Sequence, residues 1–169
     1  MTLENFLAVH ALLFERYEHP AVMTVAESEL LAPQMPGAKT KNLFLRDKKG
    51  SKYFLVTIPA ALSVNLKQLG ALLGVAGLSF ASPERLLSCL GVSPGSVTLL
   101  GLVNDPEHHV QFVIDQALWD APAVQAHPLV NTATMVVPHA GLVQFLAATG
   151  HDPHIISVPA QPVEDRDLL

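Results

Sequence analysis

The chain has 169 residues, half of them apolar and 15% charged, with a formal net charge of −5. That composition supports a sizeable buried core and excludes wholesale disorder, and no apolar run approaches the roughly 20 residues that a helix needs to span a bilayer. Its one cysteine, Cys89, excludes an internal disulfide and fits a reducing compartment.

Cys89 lies in the apolar run 86–90, where an inert core thiol is favoured over a nucleophile. The start Met1-Thr2-Leu3-Glu4-Asn5 lacks the cationic region of a signal peptide. The expectation is a cytoplasmic protein with no membrane partner, folded as one domain over residues 1–169.

In chain order, the stripe Phe6, Leu7, Val9, Leu12, Leu13 and Tyr17 predicts a helix over residues 4–18, stopped by Pro20. Residues 21–25 read as a strand and 27–31 as one or two helical turns, before a loop at Pro33 and Pro36-Gly37. Residues 40–46 and 53–58 are rich in β-branched, leucine and aromatic side chains around Asp47-Lys48-Lys49-Gly50, which predicts a hairpin. Period-2 alternation puts Lys41 on one face with Leu43 and Leu45, and Asn42 on the other with Phe44 and Arg46.

A helix is expected over 65–73, ending at Gly74, and a strand at 77–80. Ser82-Pro83-Glu84 gives a hydroxyl cap, a proline at the first position and an acid in the first turn, opening a helix that Gly91 closes. A loop at 92–96 leads into an apolar stretch over 97–103. Strands follow at 110–114 and 131–137, then a helix from Pro138 to Gly150, a last strand at 155–158 and a frayed tail over about 160–169. Hairpin-connected strands mixed with helices give an α+β class with a mixed, largely antiparallel sheet.

Charge is distributed unevenly along this pattern. Six of the ten basic residues, Lys39, Lys41, Arg46, Lys48, Lys49 and Lys52, fall within fourteen positions. A local cationic cluster on an acidic chain draws an anion to one place and repels it elsewhere. That favours gripping one phosphate-bearing end over coating a nucleic acid along its length. Lys48, Lys49 and Lys52 read as turn charges that attract a polyanion. Lys41 differs, because a lysine on an apolar face needs an anion or acceptor to stay charged in a lowered dielectric. Asn42 beside it is a neighbouring donor.

The common catalytic and cofactor signatures are missing: there is no G-x-G-x-x-G, P-loop, H-E-x-x-H, C-x-x-C or G-x-S-x-G. His108-His109 and His151-Asp152-Pro153-His154 come nearest to ligand spacing, but the proline breaks helical geometry, so these read as surface or capping histidines. No metal and no cofactor is expected. Gly101-Leu102-Val103-Asn104-Asp105-Pro106 sets a glycine at a strand end, where backbone can approach a ligand, before an imposed turn. A plain turn between strands fits it equally. His127-Pro128-Leu129-Val130-Asn131 sets a histidine and an amide around a rigid proline turn.

Taken together, Thr40-Lys41-Asn42-Leu43-Phe44-Leu45-Arg46-Asp47-Lys48-Lys49, Gly101-Leu102-Val103-Asn104-Asp105, and His127-Pro128-Leu129-x-Asn131-x-Ala133-Thr134 resemble the YbaK/ProX family of aminoacyl-tRNA deacylases. These are stand-alone relatives of the editing domain of prolyl-tRNA synthetase. Phe145-Leu146-x-x-Thr149-Gly150-His151-x-Pro153 points to the ProX branch, which clears alanine from mischarged tRNA(Pro). The resemblance spans residues 4–158. Where family members often read Pro-Phe-Gly, this chain has Leu99-Leu100-Gly101.

The resemblance implies a curved central sheet with flanking helices. It also implies hydrolysis of an aminoacyl ester assisted by the substrate's own ribose hydroxyl, with Lys41 as the essential lysine. Asn42, Gly101, Asn104, His127 and Asn131 are then expected to bind substrate, and Arg46, Lys48, Lys49 and Lys52 to attract the tRNA. The expected partners are an aminoacyl-tRNA acceptor end and prolyl-tRNA synthetase. Residues 23–31 and Phe44 are the expected pocket for the aminoacyl group. Two other readings remain open from the residues: a non-catalytic nucleic-acid-binding module using the cationic hairpin, and a deacylase for another mischarged tRNA such as Cys-tRNA(Pro).

Overall fold

The computed structural model describes residues 1–21 and 34–161; the strand expected at 21–25 and the helical turn at 27–31 fall largely outside them. The hairpin forms in the expected register. Strand β2 (Thr40–Arg46) pairs antiparallel with β3 (Tyr53–Pro59), Lys41 opposite Ile58 and Arg46 opposite Tyr53. Asp47 closes its turn, accepting hydrogen bonds from the Ser51 and Lys52 amides and from the Ser51 hydroxyl. Burial raises the Asp47 carboxyl's pKa, but these bonds outweigh it and hold the group below its ordinary value.

Two helices begin and end at the expected residues. In α2 (Leu66–Leu73) the Asn65 side chain accepts from the Gln68 amide and Gly74 ends the helix; in α3 (Pro83–Leu90) Ser82 accepts from the Arg85 amide and Gly91 ends it. The N-terminal helix is shorter than its apolar stripe suggests. α1 (Leu3–Val9) stops at His10, and Glu15–Glu18 becomes strand β1, paired antiparallel with β7 (Ala133–Pro138). Tertiary strand pairing overrides the helical spacing there.

The rest of the chain adds β4 (Ser79–Phe80), a 3₁₀ helix (Leu99–Asn104), β5 (Val110–Asp115), α4 (Gln116–Trp119), β6 (Ala123–Ala126), α5 (His139–Thr149) and β8 (His154–Ile156). Apolar spacing gave no sign of β1, α4 or β6. Each is four residues long, too short to establish a period. Ala160 bridges Val64 and the Gln161 amide donates to the Ser63 carbonyl, so the beginning of the expected frayed tail is tied down; residues 162–169 lie outside the described region.

The strands form two sheets. One is five-stranded and mixed, in the order β4-β2-β3-β5-β8, with β3-β5 and β5-β8 parallel; the other is antiparallel, β1-β7-β6. This is the expected α+β class, with the antiparallel pairings divided between two sheets. The larger core fills the space between them, where Phe44, Leu55, Phe112 and Ile114 meet Val124, Ala126, Met135 and Val137. A second core under α2 holds Leu45, Phe54, Val56, Ile58 and Leu69. The faces of β2 therefore divide as alternation requires: Leu43 and Leu45 on the α2 side, Phe44 on the side between the sheets.

Candidate functional site

The two sheets are joined beside the start of β2. Ala38 bridges Val124 in parallel, the Gln125 amide donates to the Ala38 carbonyl at 2.9 Å, and the Thr40 hydroxyl donates to the Gln125 carbonyl. The Gln125 side chain reaches back to the carbonyls of Met35, Pro36 and Gly37 at 3.2–3.3 Å. Lys41 follows Thr40 on β2, and His127 lies two residues past Gln125, just beyond β6. The junction thus brings these two stretches of backbone near one another, although they are distant in sequence, while alternation turns the Lys41 side chain to the α2 face with Leu43 and Leu45.

Lys41 is partly buried, and among the described residues its ammonium makes no hydrogen bond or ion pair. Burial lowers its pKa from the ordinary lysine value. A cation in that position gains from a bound anion. Asn42 lies on the opposite face of β2, where its carbonyl oxygen accepts a hydrogen bond from the buried Thr57 hydroxyl at 2.6 Å. Lys41 and Asn42 therefore do not form one side-by-side donor pair. Thr57 holds the amide by its oxygen, and the NH₂ group has no partner among the described residues.

His127 closes the neck of the loop 127–133. Its Nδ1 lies 3.1 Å from the Ala133 carbonyl, which can only accept, so Nδ1 carries the proton and Nε2 the lone pair. Burial is the main cause of its lowered pKa; the Ala133 bond works against that and the neighbouring His19 adds to it. Asn131 sits half-buried in the same loop, and Leu129 there has a φ of 68°, in the left-handed region.

The glycine loop is not at a strand end. Gly101 is buried inside the 3₁₀ helix, where a β-carbon would stand 3.3 Å from Leu90 Cβ. The Asn104 side-chain NH₂ donates to the Leu90 carbonyl at 2.9 Å. The close approach that this glycine allows is to α3, and Asn104 caps that helix's end. The stretch 97–103 reads apolar because it is core.

The cationic cluster separates in space. Lys48 and Lys49 at the turn, with Lys52 beside it, are exposed, and they lie beyond Arg46, which ends β2 roughly 17 Å along the strand from Lys41. Arg46 is engaged with the turn backbone, its guanidinium donating to the Asp47 and Lys48 carbonyls at 3.2 and 3.1 Å. Phe44 is 4% exposed and stacks on Tyr53, so it is core and not pocket wall; residues 23–31 are outside the described region.

Sequence reading missed His19 and Thr134, buried beside His127, and a second buried group. His151 Nε2 donates to the Asp105 carboxylate at 2.9 Å, and both side chains are almost fully buried. Asp105 also accepts from the His109 and Val110 amides, while His151 Nδ1 meets the Thr149 hydroxyl. His151 is thus neither a surface nor a helix-capping histidine. His108 does cap, holding the Thr149 carbonyl at the end of α5 at 2.9 Å. Among the described residues no helix is long and apolar enough to cross a membrane.

Residues 19–145 match the family model of the aminoacyl-tRNA editing domain. The chain belongs to that family. The editing domain found here is 40% identical over 159 residues to the prolyl-tRNA synthetase associated domain-containing protein 1 of Mus musculus, covering 92% of this chain and 94% of that protein. It is 36% identical over 134 residues to the prolyl-tRNA editing protein ProX of Acetoanaerobium sticklandii, covering 79% of this chain and 82% of the relative. Its fold matches the crystal structure of a candidate trans-editing enzyme for prolyl tRNA synthetase with a TM-score of 0.67 at 20% identity, over 94% of this chain and 95% of the other.

Proposed function

We propose that this editing domain deacylates mischarged tRNA in trans, with Ala-tRNA(Pro) as its substrate. The observation that carries the reading is Lys41, a partly buried cation whose ammonium has no partner among the described residues. Its 36% identical relative, a prolyl-tRNA editing protein, supports the substrate class.

An aminoacyl ester is already activated, so the protein needs to supply position and charge more than a strong nucleophile. Lys41 holds the terminal phosphate or the ester carbonyl as a fixed positive charge. The unprotonated Nε2 of His127 accepts a hydrogen bond from the attacking water or from the ribose hydroxyl that orients it. Asn131, in the loop that His127 closes, is the neighbouring polar contact. Attack on the ester carbon releases free alanine and the tRNA's ribose hydroxyl. Gly101 and Asn104 act behind the site, fixing α3 against the 3₁₀ helix.

Alanine is selected by exclusion. One methyl group in a pocket contributes about 1 kcal/mol, too little to separate alanine from proline, so the proline ring must be rejected sterically. Lys48, Lys49 and Lys52 attract the tRNA backbone from the far end of the hairpin, and prolyl-tRNA synthetase is the partner whose errors are corrected.

The test is single-turnover hydrolysis of Ala-tRNA(Pro), Cys-tRNA(Pro) and Pro-tRNA(Pro) by the wild type and Lys41→Ala. Loss of alanine alone, abolished in the variant, is the expected result. Cleavage of the cysteinyl ester alone would move the substrate, and no cleavage by folded protein would leave a binding module.

A further inference from the structure

We propose that His19 is a positioning residue for His127, acting through Thr134 and the neck of the 127–133 loop. The inference rests on the deacylase reading for its consequence in catalysis, and on the geometry of this cluster for its substance.

His19 is buried at the end of β1 and grips the loop's return strand on both sides of Ala133. Its backbone amide donates to the Thr132 carbonyl at 3.0 Å, and its Nε2 meets the Thr134 hydroxyl at 2.8 Å. The direction of the second bond is set by the first ring nitrogen. Nδ1 lies 2.9 Å from the Pro20 carbonyl, an acceptor only, so Nδ1 carries the proton and Nε2 accepts from Thr134. Between the two gripped residues stands Ala133, whose carbonyl holds Nδ1–H of His127. The His19 and His127 rings meet edge to face, with centroids 6.3 Å apart.

The arrangement is more than packing, because the loop it closes holds Leu129 in the left-handed region, at a φ of 68°. A leucine persists there only where its surroundings fix the backbone. The neck bonds supply that restraint, and with it the orientation of the His127 lone pair. Pro20 contributes from the sequence side: a residue before proline is steered toward extended backbone, which continues β1 into the grip. Among the described residues, the titratable group that faces the His127 ring is His19 itself.

The test compares wild type with Thr134→Val, Thr134→Ser and His19→Ala in the full chain. Steady-state kcat and KM on the aminoacyl-tRNA are read together with the His127 tautomer and titration by ¹⁵N NMR. Thr134→Val removes the hydroxyl at nearly constant shape. It should lower kcat about tenfold, leave KM within about twofold, and move the acid limb of kcat to higher pH as the His127 ring loosens toward water. Thr134→Ser should restore wild-type values.

Equal kcat in Thr134→Val, or a loss that Thr134→Ser fails to rescue, would overturn the proposal. If wild type cleaves no aminoacyl-tRNA, the deacylase reading fails on its own. The NMR arm then still decides the inference: an unchanged His127 tautomer and titration in both Thr134→Val and His19→Ala would overturn it.

Discussion

Lys41 and His127 are the residues on which the proposed chemistry turns, and burial lowers the pKa of both. His127 is lowered, so its neutral form extends below the roughly 6.5 of free imidazole. The acid limb of the pH–rate profile should therefore lie below that value and rise in Thr134→Val. The stability consequence has a definite sign. With the folded pKa lowered, the unfolded chain binds the proton more readily, so this residue's contribution is full above about pH 6.5 and declines as pH falls through the folded value. Urea unfolding across pH 5–7 checks it; a decline that His127→Gln does not reduce would contradict the assignment. Alternation alone made Lys41 legible, because it set a lysine in an apolar column. Thr134 was not legible, since a threonine within a buried strand looks the same whether or not its hydroxyl orients a distant histidine.

Among the elements, the hairpin was the most legible, because turn residues, β-branched runs and charge all agreed on it. What the sequence could not convey is that six close cations occupy two ends of a stiff ladder. On the proposed function, the turn lysines would act on tRNA backbone at a distance from the ester. Replacing Lys48, Lys49 and Lys52 together by alanine should lower the slope of log K against log salt by about 2 to 3 in a tRNA-binding titration. Lys41→Ala should lower it by no more than about 1. Equal slopes in wild type and the triple variant would remove the hairpin from the interface. The turn also leans on a glycine: the Lys48 amide donates to the Ala76 carbonyl, and a β-carbon on Gly77, at a φ of 66°, would stand 2.7 Å from Lys48 Cβ. Gly77→Ala should accordingly lower Tm.

At the scale of the molecule, two sheets close over one shared core, and their junction at Ala38 and Val124 sets the start of β2 beside β6. The helix cap at Ser82 and glycine stops at Gly74 and Gly91 were readable because capping is local chemistry. The sheet division was not, because β1 and β6 are too short to announce themselves and find their identity only in pairing with β7. Phe112, 1% exposed between the sheets, tests that core: Phe112→Ala should cost about 3–5 kcal/mol in urea unfolding. Asp105→Ala tests the buried polar anchor, since it strips the acceptor from His151, His109 and Val110 at once. It should cost about 3 kcal/mol, and a change under about 1 kcal/mol would make the pair incidental.

The central claim is that this editing domain removes alanine from tRNA(Pro) with Lys41 as its anchor, and the most direct measurement is hydrolysis of Ala-tRNA(Pro) against Pro-tRNA(Pro) by wild type and Lys41→Ala. The account predicts rapid loss of the alanyl ester only, and no loss in the variant. Cleavage of both esters alike, or undiminished cleavage by Lys41→Ala, would contradict it.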